Sequence, residues 1–154
     1  MIDISTDRTT REKWIHSFQD VTLIHFFVDL AGYDRELPGD RAHTELMDSL
    51  ARFDEIANSR WFMRTRIALF LSNKSLLEAK LSNSPLNRRF PDYSGGNNVA
   101  RATQYILRQF KQVNRTQLDL YPCSIQPSDP SSVRVVFEAI EEVLVQKNLD
   151  MMVI

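Results

Sequence analysis

The chain has 154 residues, 43% hydrophobic and 25% charged, the balance of one soluble globular domain with its own core. Lysine and arginine number 19 and aspartate and glutamate 20, so the net charge of −1 gives no electrostatic reason to bind nucleic acid. The single cysteine excludes an internal disulfide and a multi-cysteine zinc site. The polar start, from Met1 to Lys13, is not a secretory signal, so we expect a cytoplasmic location.

Apolar runs alternate with segments of helical periodicity along the chain. Val21–Val28 is apolar on both faces and rich in β-branched and aromatic residues, which predicts a strand covered on both sides, as in a parallel sheet. Asp29–Asp40 is predicted to be a loop, and Leu46–Ala57 has the apolar spacing of a helix. Ile67–Leu71 is a second short apolar strand.

The second half continues the same alternation. The predicted elements are a short helix over Leu76–Leu81, an irregular connection over Asn83–Asn98, a helix over Val99–Val113, a weak strand over Leu118–Ile125 and a final helix with Ser132 as its N-cap. Strands that alternate with helices predict an α/β fold, a parallel sheet of about three strands with helices on its faces.

The sequence contains no complete motif for phosphate binding, metal binding or nucleophilic catalysis. The four glycines lack the Gly-x4-Gly-Lys-Ser/Thr and Gly-x-Gly-x-x-Gly spacings that cradle phosphates. The three histidines lack metal-ligand spacing, and His25, within an apolar strand, is interpreted as a core or edge histidine whose ring nitrogens are hydrogen-bonded. Cys123 has no nucleophile signature and is interpreted as a buried structural thiol.

Several short motifs nevertheless occur in an order and spacing found together in one family. They are Lys13-Trp14-Ile15-His16, Gly32-Tyr33-Asp34, Phe53-Asp54-Glu55-Ile56, Trp61-Phe62, Phe70-Leu71, Ser84-Pro85-Leu86, Phe90-Pro91-Asp92-Tyr93 and Val136-Phe137. Through these motifs the chain resembles the α subunits of heterotrimeric G proteins over nearly its whole length. The resemblance implies a partial P-loop-NTPase-like (Ras-like) fold over residues 1–154, lacking the phosphate-loop half and the helical domain. Within it, residues 1–18 resemble the switch II segment and residues 131–154 the receptor-coupling last helix and tail.

The start of the switch II segment reads Asp-Val-Gly-Gly-Gln in the family. The register implies that Asp3 matches the magnesium-associated acid and that Thr6 replaces the glycine that meets the γ-phosphate. Asp7 stands where the family has the glutamine that orients the attacking water. A carboxylate there has the wrong sign beside a phosphoryl group, so no catalytic residue is intact.

In gapless register the guanine-reading motif Asn-Lys-x-Asp falls at Ser72, Asn73, Lys74 and Ser75. A one-residue slip would align Asn73-Lys74 with Asn-Lys but would leave Leu76 at the position of the acid. Ser75 cannot accept the two charge-assisted bonds made by the family aspartate, each worth roughly 1.5–3 kcal/mol. The second guanine motif, Thr-Cys-Ala, is matched only at its cysteine, because Pro122, Cys123 and Ser124 occupy it. The resemblance therefore implies GTP or GDP and magnesium as family ligands, and the substitutions predict that this chain alone does not bind them.

Positions that meet other proteins in the family are better kept. Lys13 and Trp14 match a surface for the βγ dimer, with core packing as an equal reading for Trp14. Trp61 and Phe62 match an effector-facing loop, with an anchoring role in the core at least as plausible.

The tail keeps the family Asn-Leu pair at Asn148 and Leu149, which implies contact with a G protein-coupled receptor. Such partners would place the protein peripherally at the inner face of the plasma membrane.

Two functional hypotheses follow. The first is a truncated, degenerate signalling protein that acts by binding other proteins. The second is a piece of a functional, GTP-hydrolysing α subunit. In the family, Val21–Val28 lies beside the strand that leads into the phosphate loop, so the sequence predicts an unpaired apolar edge and self-association of the isolated chain.

Overall fold

A computed structural model describes residues 2–3, 21–126, 128–145 and 150–153. The strands are β1 (Ile2–Asp3), β2 (Val21–Asp29), β3 (Glu36–Leu37), β4 (Asp40–Thr44), β5 (Arg66–Ser72), β6 (Leu120–Ser124) and β7 (Asp150–Val153). The helices are α1 (Glu45–Ala57), α2 (Lys74–Leu81), α3 (Val99–Val113) and α4 (Pro130–Val145). Of the segment that resembles switch II, all but Ile2 and Asp3 lies outside the described residues, and so do the predicted site positions Asp7, Lys13, Trp14, Asn148 and Leu149.

The main sheet has five strands in the order β1-β7-β2-β5-β6, and every pair in it is parallel. The three strands predicted from the sequence are β2, β5 and β6, which lie side by side. The predicted α/β fold with helices on a parallel sheet is therefore confirmed. Two short strands from the ends of the described chain, β1 and β7, widen the sheet beyond the predicted three.

The edge of β2 away from β5 is where the structure departs most from expectation. β7 runs parallel to β2 there, with Val21 opposite Asp150 and His25 opposite Val153. The prediction of an unpaired edge is therefore wrong for Val21–His25, because a segment from the far end of the chain supplies the missing ladder. β1 joins the sheet through β7, with Ile2 opposite Met152 and Asp3 opposite Val153.

The two faces of the sheet are covered unequally. Alternation along β2 sends Ile24, Phe26 and Val28 into the larger core, which α1, α2 and α3 complete. Leu23 and His25 point to the opposite face, where a smaller core forms against α4 with Phe70 and Phe137. Among the described helices, α4 alone packs in this second core.

Two local predictions are corrected. The segment predicted as a loop over Asp29–Asp40 contains the start of an antiparallel hairpin, because β3 pairs with β4. The N-cap of α4 is Asp129 rather than Ser132: Asp129 Oδ1 accepts from the Ser131 N–H at 3.1 Å, and Pro130 takes the first helical position.

Candidate functional site

The carboxyl ends of β2, β5 and β6 lie side by side, the edge where ligands bind in open α/β sheets. Asp29 is opposite Ser72, and Ser124 is opposite Leu71 on the other side of β5. The fold thus brings together the predicted guanine-motif positions Ser72, Asn73 and Ser75 from β5–α2 and Cys123 and Ser124 from β6. These positions belong to two motifs that are distant in the sequence, and the parallel pairing of β5 with β6 makes them neighbours.

The turn between β5 and α2 is fixed by contacts with β2. Ser72 Oγ donates to the Val28 carbonyl at 3.0 Å. Asn73 adopts the left-handed conformation with φ 61°, which asparagine tolerates better than most residues. Its side chain hydrogen-bonds Asp29, so Asn73 is committed to holding the turn.

Asp29 is the most strongly partnered acid at this edge. It accepts from the Ala31 N–H at 2.9 Å and pairs closely with Arg35, whose guanidinium also lies 3.2 Å from Glu45. Burial raises the pKa of Asp29, but the bonds from Asn73, Arg35 and Ala31 outweigh it and hold that pKa below its ordinary value. Asp29 is therefore ionised at neutral pH and places a negative charge at the end of the central strand.

Ser75 is engaged by the loop that follows β6. Gln126 Nε2 donates to Ser75 Oγ at 2.8 Å. This bond joins the first turn of α2 to that loop, so the side chains following β5 and β6 meet each other. Gln126 was not predicted as a site residue, because nothing in its local sequence distinguishes it from a loop glutamine.

Cys123 is half-buried rather than fully buried, which corrects its interpretation as a buried thiol. Burial raises the pKa of the Cys123 thiol, and its Sγ lies 3.7 Å from the Tyr121 carbonyl. A thiol with a raised pKa is a weaker nucleophile at neutral pH.

An acidic cleft of about 450 Å³ lies beside the carboxyl end of β2. Its lining includes the carboxylates of Asp29, Glu45 and Asp48 and one guanidinium, that of Arg52, which pairs with Asp48 at 3.1 Å. The exposed edge of Phe27 closes one side. A polyanion entering this cleft would meet more negative than positive charge.

The predicted partner positions that fall within the described residues differ in exposure. Phe62 is fully buried in the larger core, which favours its anchoring role. Trp61 is half-buried, with the Arg60 guanidinium 4.7 Å from its ring centroid. Met63, directly after this pair, is 69% exposed. The loop therefore offers a protein partner Met63 and part of Trp61, whereas Phe62 anchors it.

Neither a candidate metal cluster nor a membrane-spanning helix is present in residues 2–3, 21–126, 128–145 and 150–153. No three acidic, histidine or cysteine side chains there are grouped so that they could hold a metal ion. Asp3, the predicted magnesium-associated acid, lies in β1. Across the same ranges, no helix is both long enough and apolar enough to cross a membrane.

Comparison with known proteins identifies relatives for nearly the whole chain. A family profile described as G-protein alpha subunit matches residues 1–144. The guanine nucleotide-binding protein alpha-3 subunit of Neurospora crassa is 47% identical over 97% of this chain and 42% of its own length. The alpha-2 subunit of Saccharomyces cerevisiae is 44% identical over 96% of the chain and 33% of its own length. The alpha-16 subunit of Caenorhabditis elegans is 38% identical over 97% and 43%.

The chain thus spans less than half the length of these relatives. The region it does span includes the strands and helices that bring Ser72, Ser75 and Ser124 to one edge of the sheet. An identity above two-fifths to the first two relatives, over almost every residue of the chain, leaves no other assignment. The chain belongs to the G-protein alpha subunit family.

Proposed function

We propose that this chain is a G-protein-α-subunit-like signalling protein that acts by binding other proteins, with GTP binding and hydrolysis lost or crippled. The observation that carries the proposal is the bond between Gln126 Nε2 and Ser75 Oγ, 2.8 Å long. A serine hydroxyl engaged by the neighbouring loop stands where the family aspartate would accept two N–H groups from guanine. Buried polar groups of a ligand left unpaired cost about 1–3 kcal/mol each, so guanine would lose the contacts that select it.

The electrostatics of the same edge support this proposal. The cleft beside β2 is lined by Asp29, Glu45 and Asp48 against Arg52 alone. Arg35 pairs with Asp29 and Glu45, and Arg52 pairs with Asp48, so each of these cations is already engaged by a carboxylate. A triphosphate would have to displace these pairs to gain a cation at the cleft, whereas protein partners need no such charge.

Nucleotide titration tests the proposal. We expect a fluorescent GTP analogue with magnesium to show no saturable binding to the purified chain. A dissociation constant below about 10 μM, which corresponds to roughly 7 kcal/mol, would overturn the proposal.

Two variants test which part of the nucleotide site has lost its affinity. Ser75→Asp restores the family carboxylate, and Ser94→Asp adds the same charge at an exposed serine elsewhere. If Ser75→Asp alone tightens binding tenfold or more, loss of affinity resides at the guanine-reading position. If neither variant binds, the lost affinity lies with the phosphates.

The proposal also predicts that the chain binds other proteins. The candidate partners are a βγ dimer, contacted by Lys13 and Trp14, an effector at Trp61 and Phe62, and a receptor at Asn148 and Leu149. We expect the chain to associate with purified βγ without nucleotide and Trp14→Ala to weaken that association while the circular dichroism spectrum stays unchanged. Trp61→Ala is the matched control at a different surface. Unchanged binding by a folded Trp14→Ala variant would remove Trp14 from the interface.

A second candidate function is a piece of a functional, GTP-hydrolysing α subunit. The observation that favours it is coverage, because the chain matches only 42% of the length of its Neurospora crassa relative. Reading the genomic frame upstream of Met1 decides between the two. A Gly-x4-Gly-Lys-Ser sequence in that frame would favour the piece, and its absence would favour the degenerate binding protein.

A further inference from the structure

β7 is a separate unit at the end of the described chain. It is four residues long, and residues 146–149 connect it to α4. It runs between β1 and β2 and is parallel to both. Its residues lie beyond the part of the chain that matches the family profile, which ends at residue 144.

The edge that β7 covers is longer than β7 itself. β2 spans nine residues, Val21–Asp29, and β7 reaches only as far as His25. The register also shifts between Val21 and Leu23, so the ladder is short and irregular. Short ladders of this kind are weakly specified and prone to exchange. The edge of β2 therefore accepts an extended parallel segment and holds the present one by few bonds.

We propose that this edge is an interface between two copies of the chain, in which residues 150–153 of one copy replace β7 on β2 of the other. A second copy brings a strand that already fits this edge in direction and register. Exchange of an identical element preserves every bond of the β2–β7 ladder, so the two arrangements differ mainly in the connecting segment. The proposal does not depend on nucleotide or on any signalling partner.

The connection determines how the equilibrium responds to concentration. A strand tethered through four residues has an effective concentration on the order of millimolar for its own β2. Exchange therefore becomes substantial only as the protein concentration rises through the high micromolar range. Within one copy, β1 stays paired to whichever β7 is present, because β7 is its partner in the sheet.

Cysteine cross-linking distinguishes exchange from any other association. His25 and Val153 are register partners, and adjacent strands lie about 4.8 Å apart, within the Cα separation that a disulfide allows. In a Cys123→Ser background, one chain carries His25→Cys and a second, with a larger tag, carries Val153→Cys. The two are mixed at high micromolar concentration and then oxidised. We expect a covalent heterodimer that is sensitive to reduction.

Two further samples complete the experiment. His25→Cys mixed with Asp150→Cys is the mismatched control, because Asp150 pairs at the other end of the ladder, with Val21. We expect it to give at least fivefold less heterodimer. A single chain with both His25→Cys and Val153→Cys reports whether the ladder exists in solution. No heterodimer from the matched mixture, equal yields from matched and mismatched mixtures, or no disulfide in the doubly substituted chain would each overturn the proposal.

Discussion

His25 has no polar partner within the described structure. It is fully buried, and neither ring nitrogen makes a hydrogen bond to any described group. Its ring instead packs edge-on against Phe70 at 5.3 Å and Phe137 at 5.0 Å. Burial lowers the pKa of His25 to about 4, so the folded protein holds it neutral. The interpretation of His25 as a core or edge histidine is confirmed by its burial, but the expectation that its ring nitrogens are hydrogen-bonded is wrong for the described structure.

This burial predicts a pH dependence of stability. The unfolded chain protonates His25 below its ordinary pKa of 6.5, and the folded chain does so only near 4, so stability falls as the pH drops between these values. From pH 7 to pH 5 this residue alone removes about 2 kcal/mol. Urea unfolding at both pH values should show that His25→Leu lacks this loss. If wild type and His25→Leu lose the same unfolding free energy between pH 7 and pH 5, the prediction is contradicted.

The sequence predicted the positions of several site residues but not the side-chain contacts between them. The positions of Ser72, Ser75 and Ser124 at strand ends followed from their motifs and from the apolar runs before them. The bond from Gln126 to Ser75 and the one from Asn73 to Asp29 did not, because each joins side chains from different βα connections. Such contacts depend on strand order and on backbone conformation at single residues.

At the scale of the elements, β6 lies at one edge of the five-stranded sheet and contains a proline, Pro122. The Asp119 carbonyl accepts from the Ile67 N–H at 2.9 Å, and the Ile125 N–H donates to the Leu71 carbonyl at 2.9 Å. Odd-numbered residues of this strand therefore bond to β5, and alternation turns the nitrogen of Pro122 outward. Proline on that side removes a donor from the open edge without weakening the internal ladder.

Replacing this proline should therefore promote association rather than unfolding. Pro122→Thr restores an outward N–H on a strand with good β propensity. We expect light scattering to show self-association at a concentration several-fold lower than for wild type, with an unchanged circular dichroism spectrum. Ser124→Thr, two residues along the same edge, is the matched control. Equal association by both variants would show that the edge is protected in another way.

The strands and helices differ in how clearly the sequence predicts them. β2 and β5 are continuous apolar runs and α1 and α3 have regular apolar spacing, so all four were predicted within a few residues. β4 has the polar sequence Asp-Arg-Ala-His-Thr, and β7 is four residues long with two methionines, so neither has a strand pattern. Their pairing comes from tertiary context, which for β7 is a partner more than a hundred residues away in the chain.

At the scale of the whole molecule, the two cores are unequal. Three helices complete the larger one, and α4 alone is seen to complete the smaller one. Phe110 is fully buried in the former and touches Phe26 and Phe53, whereas Phe137 in the latter is only half-buried. We infer that α4 opens locally before the rest of the fold.

Alanine substitutions at these two rings test that order. Phe110→Ala should lower global stability by about 3–5 kcal/mol, because it leaves a cavity between two helices and the sheet. Phe137→Ala should lower it less and should accelerate amide exchange selectively in α4. Exchange in α4 that remains as slow as in β5 would contradict a weaker α4 docking.

The placement of β1 and β7 has a consequence for re-engineering the chain. These two strands are neighbours and run in parallel, with Ile2 opposite Met152 and Asp3 opposite Val153. Both lie beside the middle of β2, because Val153 is opposite His25. Neighbouring parallel strands need a crossover connection, so a circular permutant that joins β7 to β1 would need a linker of about a dozen residues rather than a tight turn. A reporter fused after β7 would leave the strand in the direction of the carboxyl edge, where Asp29 and the acidic cleft lie. One fused before β1 would approach from the opposite edge and leave that cleft accessible.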